Sequence, residues 1–349
     1  MRLQTIPKIE DCMDTIFEID PTRRTPKYLQ IVNSLTKAIK QGRVRKGDRV
    51  FSINELSNEL MISRDTVQKA YEILEQDKIL SAVKGKGFYI NRTNLLNRFN
   101  VLLIFNKLSS YKKMIYDSFV KTLGSKGHVE LKIHHSNIKV FEDIILTSIG
   151  EFDYYAIMPH FYSDTKEALQ LLKNIPCDQL ILLDKDLKNA CDCAAVYQDF
   201  ENDIVEAMET QIRAISKYRE LIMIHPGSGY PREIINGFKK FCFQNNFQCQ
   251  TLETVGECEA VKKNQLFVVI EEIELANLIR CCRNQKLMIG KDIGILSYND
   301  TPLKEILLDG ISVISTDHSK MGETAARFIL EHRIEKHRNP FRFISRKSI

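Results

Sequence analysis

No run of eighteen apolar residues occurs anywhere in this 349-residue chain, so a membrane-spanning helix is not expected. The opening Met1-Arg-Leu-Gln-Thr-Ile-Pro-Lys8 lacks the apolar segment of a secretory leader. Catalytic signatures are missing too. There is no Gly-x-Ser-x-Gly elbow, no His-Glu-x-x-His helix and no Gly-Lys-Ser/Thr phosphate loop. The nearest approach is Ser228, flanked by Pro226 and Tyr230 where an elbow requires glycines, so Gly227-Ser-Gly229 reads as a flexible strand-end loop. Nine cysteines, an odd number, include no Cys-x-x-Cys pair. Zinc and other metals are therefore not expected, nor is any cofactor, and reduced cytoplasmic thiols are the expected state.

What is present is a charge asymmetry beneath a net charge of +5. Residues 22–98 hold 16 Lys and Arg against 7 Asp and Glu, whereas residues 99–349 hold 32 against 33. A basic head on a near-neutral body is the footprint of DNA binding, because neutralised phosphates release counterions.

Within that head, Pro26 to Gln41 carries apolar residues at Tyr28, Ile31, Val32, Leu35, Ala38 and Ile39, a helical stripe closed by Gly42. Ser52 followed by Glu55 predicts a capping box opening a second helix, and Ser63 predicts the N-cap of a third. A short strand over Ile79–Val83, the turn Lys84-Gly85-Lys86-Gly87 and a strand over Phe88–Ile90 follow. That order is a winged helix-turn-helix, which places one helix in the major groove.

These residues resemble the head of the GntR family of bacterial transcription regulators, through Pro26-Lys-Tyr-Leu-Gln-Ile31, Gly47-Asp-Arg49, Glu55-Leu56, Ser63-Arg64-Asp65-Thr66-Val67 and Gly85-Lys86-Gly-Phe88. The resemblance implies that Ser63, Arg64, Asp65, Thr66, Gln68 and Lys69 face bases and phosphates. It implies that the wing, with Lys84, Gly85 and Lys86, enters the minor groove. Arg suits guanine and Gln suits adenine, and glycine permits close backbone approach. Asn54 and Gln68 stand where many members carry Arg, so the operator sequence cannot be carried over.

Beyond a polar connector, short apolar runs alternate with amphipathic stretches such as Lys112–Gly127, Asp203–Tyr218 and Glu233–Asn245. The runs begin at Val101, Val129, Tyr154, Leu180, Ala195, Leu221, Leu266, Ile293 and Ile311. Continuous apolar strands separated by helices predict parallel sheets covered on both faces, and the strand number predicts two Rossmann-like lobes. The expected fold class is α/β: an N-terminal winged helix-turn-helix plus a two-lobed Rossmann-like domain, which the resemblance given next implies is of the periplasmic-binding-protein type I. The expected divisions are 1–24, an extension; 25–91, the head; 92–98, a linker; and 99–349, an effector domain.

The segments 267–276, 290–302 and 311–322 look like the sensor domain of lactose- and galactose-repressor proteins. The combination with a GntR head is similar to arabinose- and fucose-responsive repressors. By position, the resemblance implies ligand contacts from Tyr111, His160, Asp184, Glu272, Asn299, Thr316 and His318. Arg232 substitutes for a family arginine whose place is taken by Ile234. Carboxylates, amides and imidazoles at strand ends suit a polyol, whose hydroxyls both donate and accept. Asp184 and Asn299 are also plausible helix caps, Asp199 a hinge cap, and Glu271 an alternative to Glu272.

The expected function is a cytoplasmic, homodimeric repressor of carbohydrate catabolism genes that binds a palindromic double-stranded operator. A small sugar or sugar phosphate controls it. The alternative is an enzyme acting on a small metabolite fused to a DNA-binding head; a structural DNA binder with a degenerate sensor is a third reading.

Overall fold

A computed structural model of the chain describes residues 16–17, 19–20, 26–93, 98–162, 166–187, 192–227 and 229–349. Most of the N-terminal extension, the middle of the connector, Cys191 and Ser228 lie outside the described residues. The chain divides into two compact units, Met1–Arg98 and Phe99–Ile349.

The first unit runs α1 (Lys27–Lys40), β1 (Arg49–Val50), α2 (Ile53–Glu59), α3 (Arg64–Gln76), β2 (Leu80–Val83) and β3 (Gly87–Ile90). Its three strands pair antiparallel in the order β1-β3-β2. The Ser52–Glu55 capping box is complete at the start of α2, and the Ser63 side chain accepts from Thr66 N–H at the start of α3. Caps of this kind are each worth about 1 kcal/mol. The apolar stripes meet in one core of Ile31, Leu35, Leu56, Val67, Tyr71 and Leu74. The Tyr71 hydroxyl donates to Phe51 O at 2.7 Å, so the large buried ring keeps its polar end satisfied.

The second unit begins β4 (Phe99–Phe105), α4 (Ser110–Leu123), β5 (Gly127–Ile133), α5 (Ile138–Ser148), β6 (Tyr154–Ile157), α6 (Lys166–Leu172), β7 (Leu180–Asp184) and β8 (Ala194–Tyr197). It continues α7 (Phe200–Glu209), α8 (Ile212–Ile215), β9 (Glu220–Ile224), α9 (Glu233–Gln244), β10 (Gln248–Leu252), β11 (Gln265–Val269), α10 (Glu272–Asn284), β12 (Gly294–Tyr298), α11 (Pro302–Ile306) and β13 (Ser312–Thr316). It closes with α12 (His318–Glu331), β14 (Lys336–Arg338) and β15 (Phe341–Ile344). Two six-stranded sheets result, ordered β14-β8-β7-β6-β4-β5 and β10-β9-β11-β12-β13-β15. Every pairing is parallel except β13 with β15. These are the two doubly wound lobes that the alternating pattern predicts.

The chain crosses between lobes three times. It leaves β8 for α7 through Gln198 and Asp199, leaves β13 for α12 at Asp317, and returns between β14 and β15 at Asn339 and Pro340. Although α12 follows a second-lobe strand, its Met321, Ala325, Ala326 and Ile329 pack into the first-lobe core with Val101 and Phe119. Buried Asn339 ties the crossings together: its Nδ2 donates to Thr316 Oγ1 at 2.7 Å and Asp317 O at 2.9 Å, and its backbone N–H donates to Tyr197 O at 2.7 Å. Asp199 does serve as a hinge cap, accepting from Asn202 N–H at the start of α7.

One expectation needs correction. Cys258 and Cys281 form a disulfide, so the cysteines are not uniformly reduced thiols; the fold brings Cys281 of α10 to within 4.9 Å, Cα to Cα, of Cys258. Spacing in sequence, 23 residues apart, gave no hint of that approach. Among the described residues, no helix is long and apolar enough to cross a membrane.

Candidate nucleic-acid interface and candidate ligand cleft

In the head, Asn54, Ser63, Arg64, Asp65, Gln68, Lys69, Lys84, Gly85 and Lys86 are exposed, and Thr66 is half-buried. They differ in freedom. Ser63 Oγ and Thr66 Oγ1 lie 2.7 Å apart within the cap. Gln68 donates to Glu72 Oε1 at 3.0 Å, and the Lys69 ammonium sits 4.1 Å over the Tyr28 ring. Arg64 is the first residue of α3, at the positive end of the helix dipole, and makes no ion pair among the described residues. Between β2 and β3, Lys86 N–H donates to Val83 O at 2.9 Å, and Gly85 and Gly87 take φ of 75° and 100°. At Gly85 a Cβ would meet open space, so the turn's left-handed backbone is what requires glycine there.

In the second unit, the carboxyl ends of strands from both lobes face one cleft, where ligands of such sheets bind. An inner cavity of about 40 Å³ is lined by Asn106 after β4, His160 after β6, Asp184 ending β7, Gln198 after β8 and Asn299 after β12, with Tyr111, Lys112, Tyr230 and His318. It adjoins an outer chamber of about 390 Å³ bordered by Glu271, Glu272 and Lys304, with Lys107, Tyr111, Tyr230, Tyr298 and Asn299 common to both. The outer volume is in the range typical of small-molecule sites, roughly 300–1,000 Å³.

Asp184 does not cap a helix. Its Oδ2 lies 2.8 Å from His160 Nε2, and its Oδ1 accepts from Gln198 Nε2. Burial opposes its charge, but His160, Lys112 and Gln198 together outweigh that and hold the carboxyl well below its usual range. The His318 ring lies 5.0 Å from the Tyr111 ring, and burial pushes its pKa down to about 4. Burial likewise lifts the Tyr111 hydroxyl to about 12, so it remains a donor at neutral pH. Asn299 does not cap either: Thr301 holds the position before α11, and Asn299 Oδ1 is buried with no hydrogen-bond partner among the described residues. Lys304 fixes the loop by donating to Tyr298 O at 2.9 Å and Asn299 O at 2.8 Å, while Arg346 grips Asp300 through two bonds. Asp184 and Asn299 both take positive φ, 71° and 62°, a conformation that Asp and Asn tolerate best after glycine.

Tyr111, His160, Asp184, Asn299 and His318 therefore share the inner cavity, and Glu272 and Glu271 border the outer one. Thr316 is instead engaged at the crossings, accepting from Asn339. Arg232 is exposed just before α9, and Ile234 of that helix lines the cavity. Lys112, Gln198 and Tyr298 also line the cavity, and nothing in the resemblance points to them. Lys112 had a legible signal: it occupies an apolar position of α4, in helical register with buried Ile115 and Phe119. Lys107 and Tyr230 connect the lobes, the ammonium donating to the Tyr230 hydroxyl at 2.9 Å.

Residues 27–90 match the family model for bacterial regulatory proteins of the gntR family, and residues 214–349 match that for the periplasmic binding protein-like domain. The HTH-type transcriptional repressor YtrA of Bacillus subtilis (strain 168) is 34% identical over 76 residues, 22% of this chain and 58% of its own length. The mannosyl-D-glycerate transport/metabolism system repressor MngR of Escherichia coli (strain K12) is 28% identical over 119 residues, 34% of this chain and 42% of its length. The arabinose metabolism transcriptional repressor of Geobacillus stearothermophilus is 30% identical over 67 residues, 19% of this chain and 18% of its own. The chain thus spans less than two thirds of these relatives. Among solved structures, the dimeric Lac repressor with an 11-residue C-terminal deletion superposes with a TM-score of 0.61 at 13% identity, covering 71% of this chain and 98% of that one. A LacI family regulator from Lactobacillus casei with bound sucrose gives 0.59 at 11% identity, covering 72% and 99%. At such identities the likeness establishes the fold.

Proposed function

We propose that this chain, which joins a gntR-family DNA-binding head to a periplasmic-binding-protein-like body, is a sugar-responsive transcription repressor of carbohydrate metabolism genes. The reading assigns DNA recognition to residues 25–91, a connector role to 92–98 and effector sensing to 99–349. Two heads in a homodimer would read the half-sites of a palindromic operator, since one winged helix covers a single half-site. The protein would act in the cytoplasm and without chemical turnover.

One observation carries this reading: a chain with an arginine that makes no ion pair among the described residues, at the start of a capped, exposed helix, also holds a cleft built from strand ends of two lobes. Arg64 would contact base edges, with the Ser63–Thr66 cap and the Lys84–Lys86 wing on phosphates. Tyr111, His160, Asp184, Glu272, Asn299 and His318 would hold the sugar. Closing the lobes on it would reset the spacing of the heads; taking such a switch from 1:99 to 99:1 needs about 5.5 kcal/mol of differential affinity. The names of the arabinose and mannosyl-D-glycerate repressors point to the same class of effector.

The test separates the two halves. Arg64→Ala should weaken operator retardation by about 1–3 kcal/mol and leave sugar-induced thermal stabilisation intact. Loss of both in a folded variant, or steady turnover of a sugar by pure protein, would defeat the proposal.

A further inference from the structure

Lys112 is 3% exposed, yet its ammonium finds only neutral partners: it donates to Asn106 Oδ1 and lies 3.3 Å from Met158 Sδ. Lys107, facing the same space, donates to the neutral Tyr230 hydroxyl. Among the described residues, neither lysine has a carboxylate within ion-pairing distance. The carboxylate of the inner cavity, Asp184, has both oxygens occupied by His160 and Gln198. Asp184 offsets the Lys112 charge only through space, and a buried ammonium that makes no direct ion pair leaves a place for a bound anion.

On the reading that this cleft binds a sugar, we infer that the effector is an anionic monosaccharide, a sugar acid or sugar phosphate, whose negative group is held by Lys112 and Lys107. Lys112 and Lys107 both line the inner cavity, so an anionic group placed there can meet both ammonium groups. The hydroxylated body then extends into the outer chamber, where Glu271 and Glu272 offer acceptors. Burial and the neighbouring Lys107 lower Lys112 to about 8 against the pull of Asp184, which leaves it charged at neutral pH. An anion between the two ammonium groups removes their mutual repulsion.

The experiment measures binding calorimetrically on the full chain. The probes are glucose, galactose and mannose, each beside its 6-phosphate and its uronic acid. The expected result is that at least one anionic probe binds 10-fold or more tightly than its neutral parent, and which series responds separates phosphate from carboxylate. Lys112→Met should cut that affinity about 10- to 100-fold, the range for a hydrogen bond to a charged group. It should also raise the melting temperature of the ligand-free protein, whereas a lysine kept for structure alone would lower it. Should Lys112→Met not fold, Lys107→Gln serves as the second variant and must reduce the same preference. Neutral probes binding as well as anionic ones, or a preference unchanged in the variants, overturns the inference while the sugar-effector reading stands. Binding of no probe at all overturns both.

Discussion

His134 and His318 are buried side chains whose pKa values fall to about 4, through burial first, and His160 is lowered for the same reason. His134 keeps one bond, Nε2 to Met158 O at 3.1 Å, and its Nδ1 has no partner among the described residues. The direction of the pH effect follows from linkage. Each folded value lies below the ordinary 6.5, so the unfolded chain binds more protons as the pH falls through that value. The stability is fully present above about pH 7 and declines toward pH 4, by about 1.4 kcal/mol per pH unit for each histidine that the unfolded state alone protonates. Urea melts at pH 7, 6 and 5 should therefore show falling stability, and His318→Gln should remove about one proton from the uptake on unfolding. A flat profile between pH 7 and 5 would show that these imidazoles take protons in the folded state.

Helix contacts set the geometry one level up. Gly322 of α12 faces α4 so closely that a Cβ there would lie 2.2 Å from Ile115 O, a backbone atom that cannot rotate away. In an exposed helix, Gly→Ala usually gains up to about 1 kcal/mol. Here the sign should reverse, with Gly322→Ala losing about 1–3 kcal/mol in thermal or urea melts, because the overlap forces the helices apart. A raised melting temperature would mean that α4 and α12 are not seated this way. Elements of this kind were legible where burial fixes the pattern. The strands from Val101, Tyr154, Leu180, Leu221 and Leu266 are apolar throughout because helices cover both faces. The edge strands β10, β14 and β15 were not legible: Gln248-Cys-Gln-Thr-Leu252 and Lys336-His-Arg338 are largely exposed, so nothing forces an apolar run. The site follows the same division. Asp184 and Asn299 could be read from their places at strand ends, whereas the role of Gln198 depends on which way the chain turns at a crossing. The position of Arg232, outside the cavity, depends on one turn of helix phase at the start of α9.

Across the whole molecule, charge and hinge are divided between different parts of the chain. The three crossings are bound by Asn339, and Arg338 of β14 reaches across to α7, donating to Asp203 Oδ1 at 2.6 Å and Glu206 Oε2 at 2.9 Å. Across the cleft the lobes are also joined by Lys107, whose ammonium donates to the Tyr230 hydroxyl. The excess positive charge, by contrast, is confined to residues 22–98, with 16 basic against 7 acidic side chains. Electrostatic affinity for DNA should therefore belong to the head and depend steeply on salt. The logarithm of the binding constant should fall linearly with the logarithm of salt concentration, by about 0.9 for each phosphate neutralised. Lys84→Ala and Lys86→Ala each remove a cation with no ion pair among the described residues. Each should reduce that slope by about 1 while leaving the preference for operator over random duplex unchanged. Titrations between 50 and 200 mM salt would measure both quantities. A slope that stays constant when both lysines are removed would take the wing off the phosphate backbone, and a changed sequence preference would put it on base edges instead.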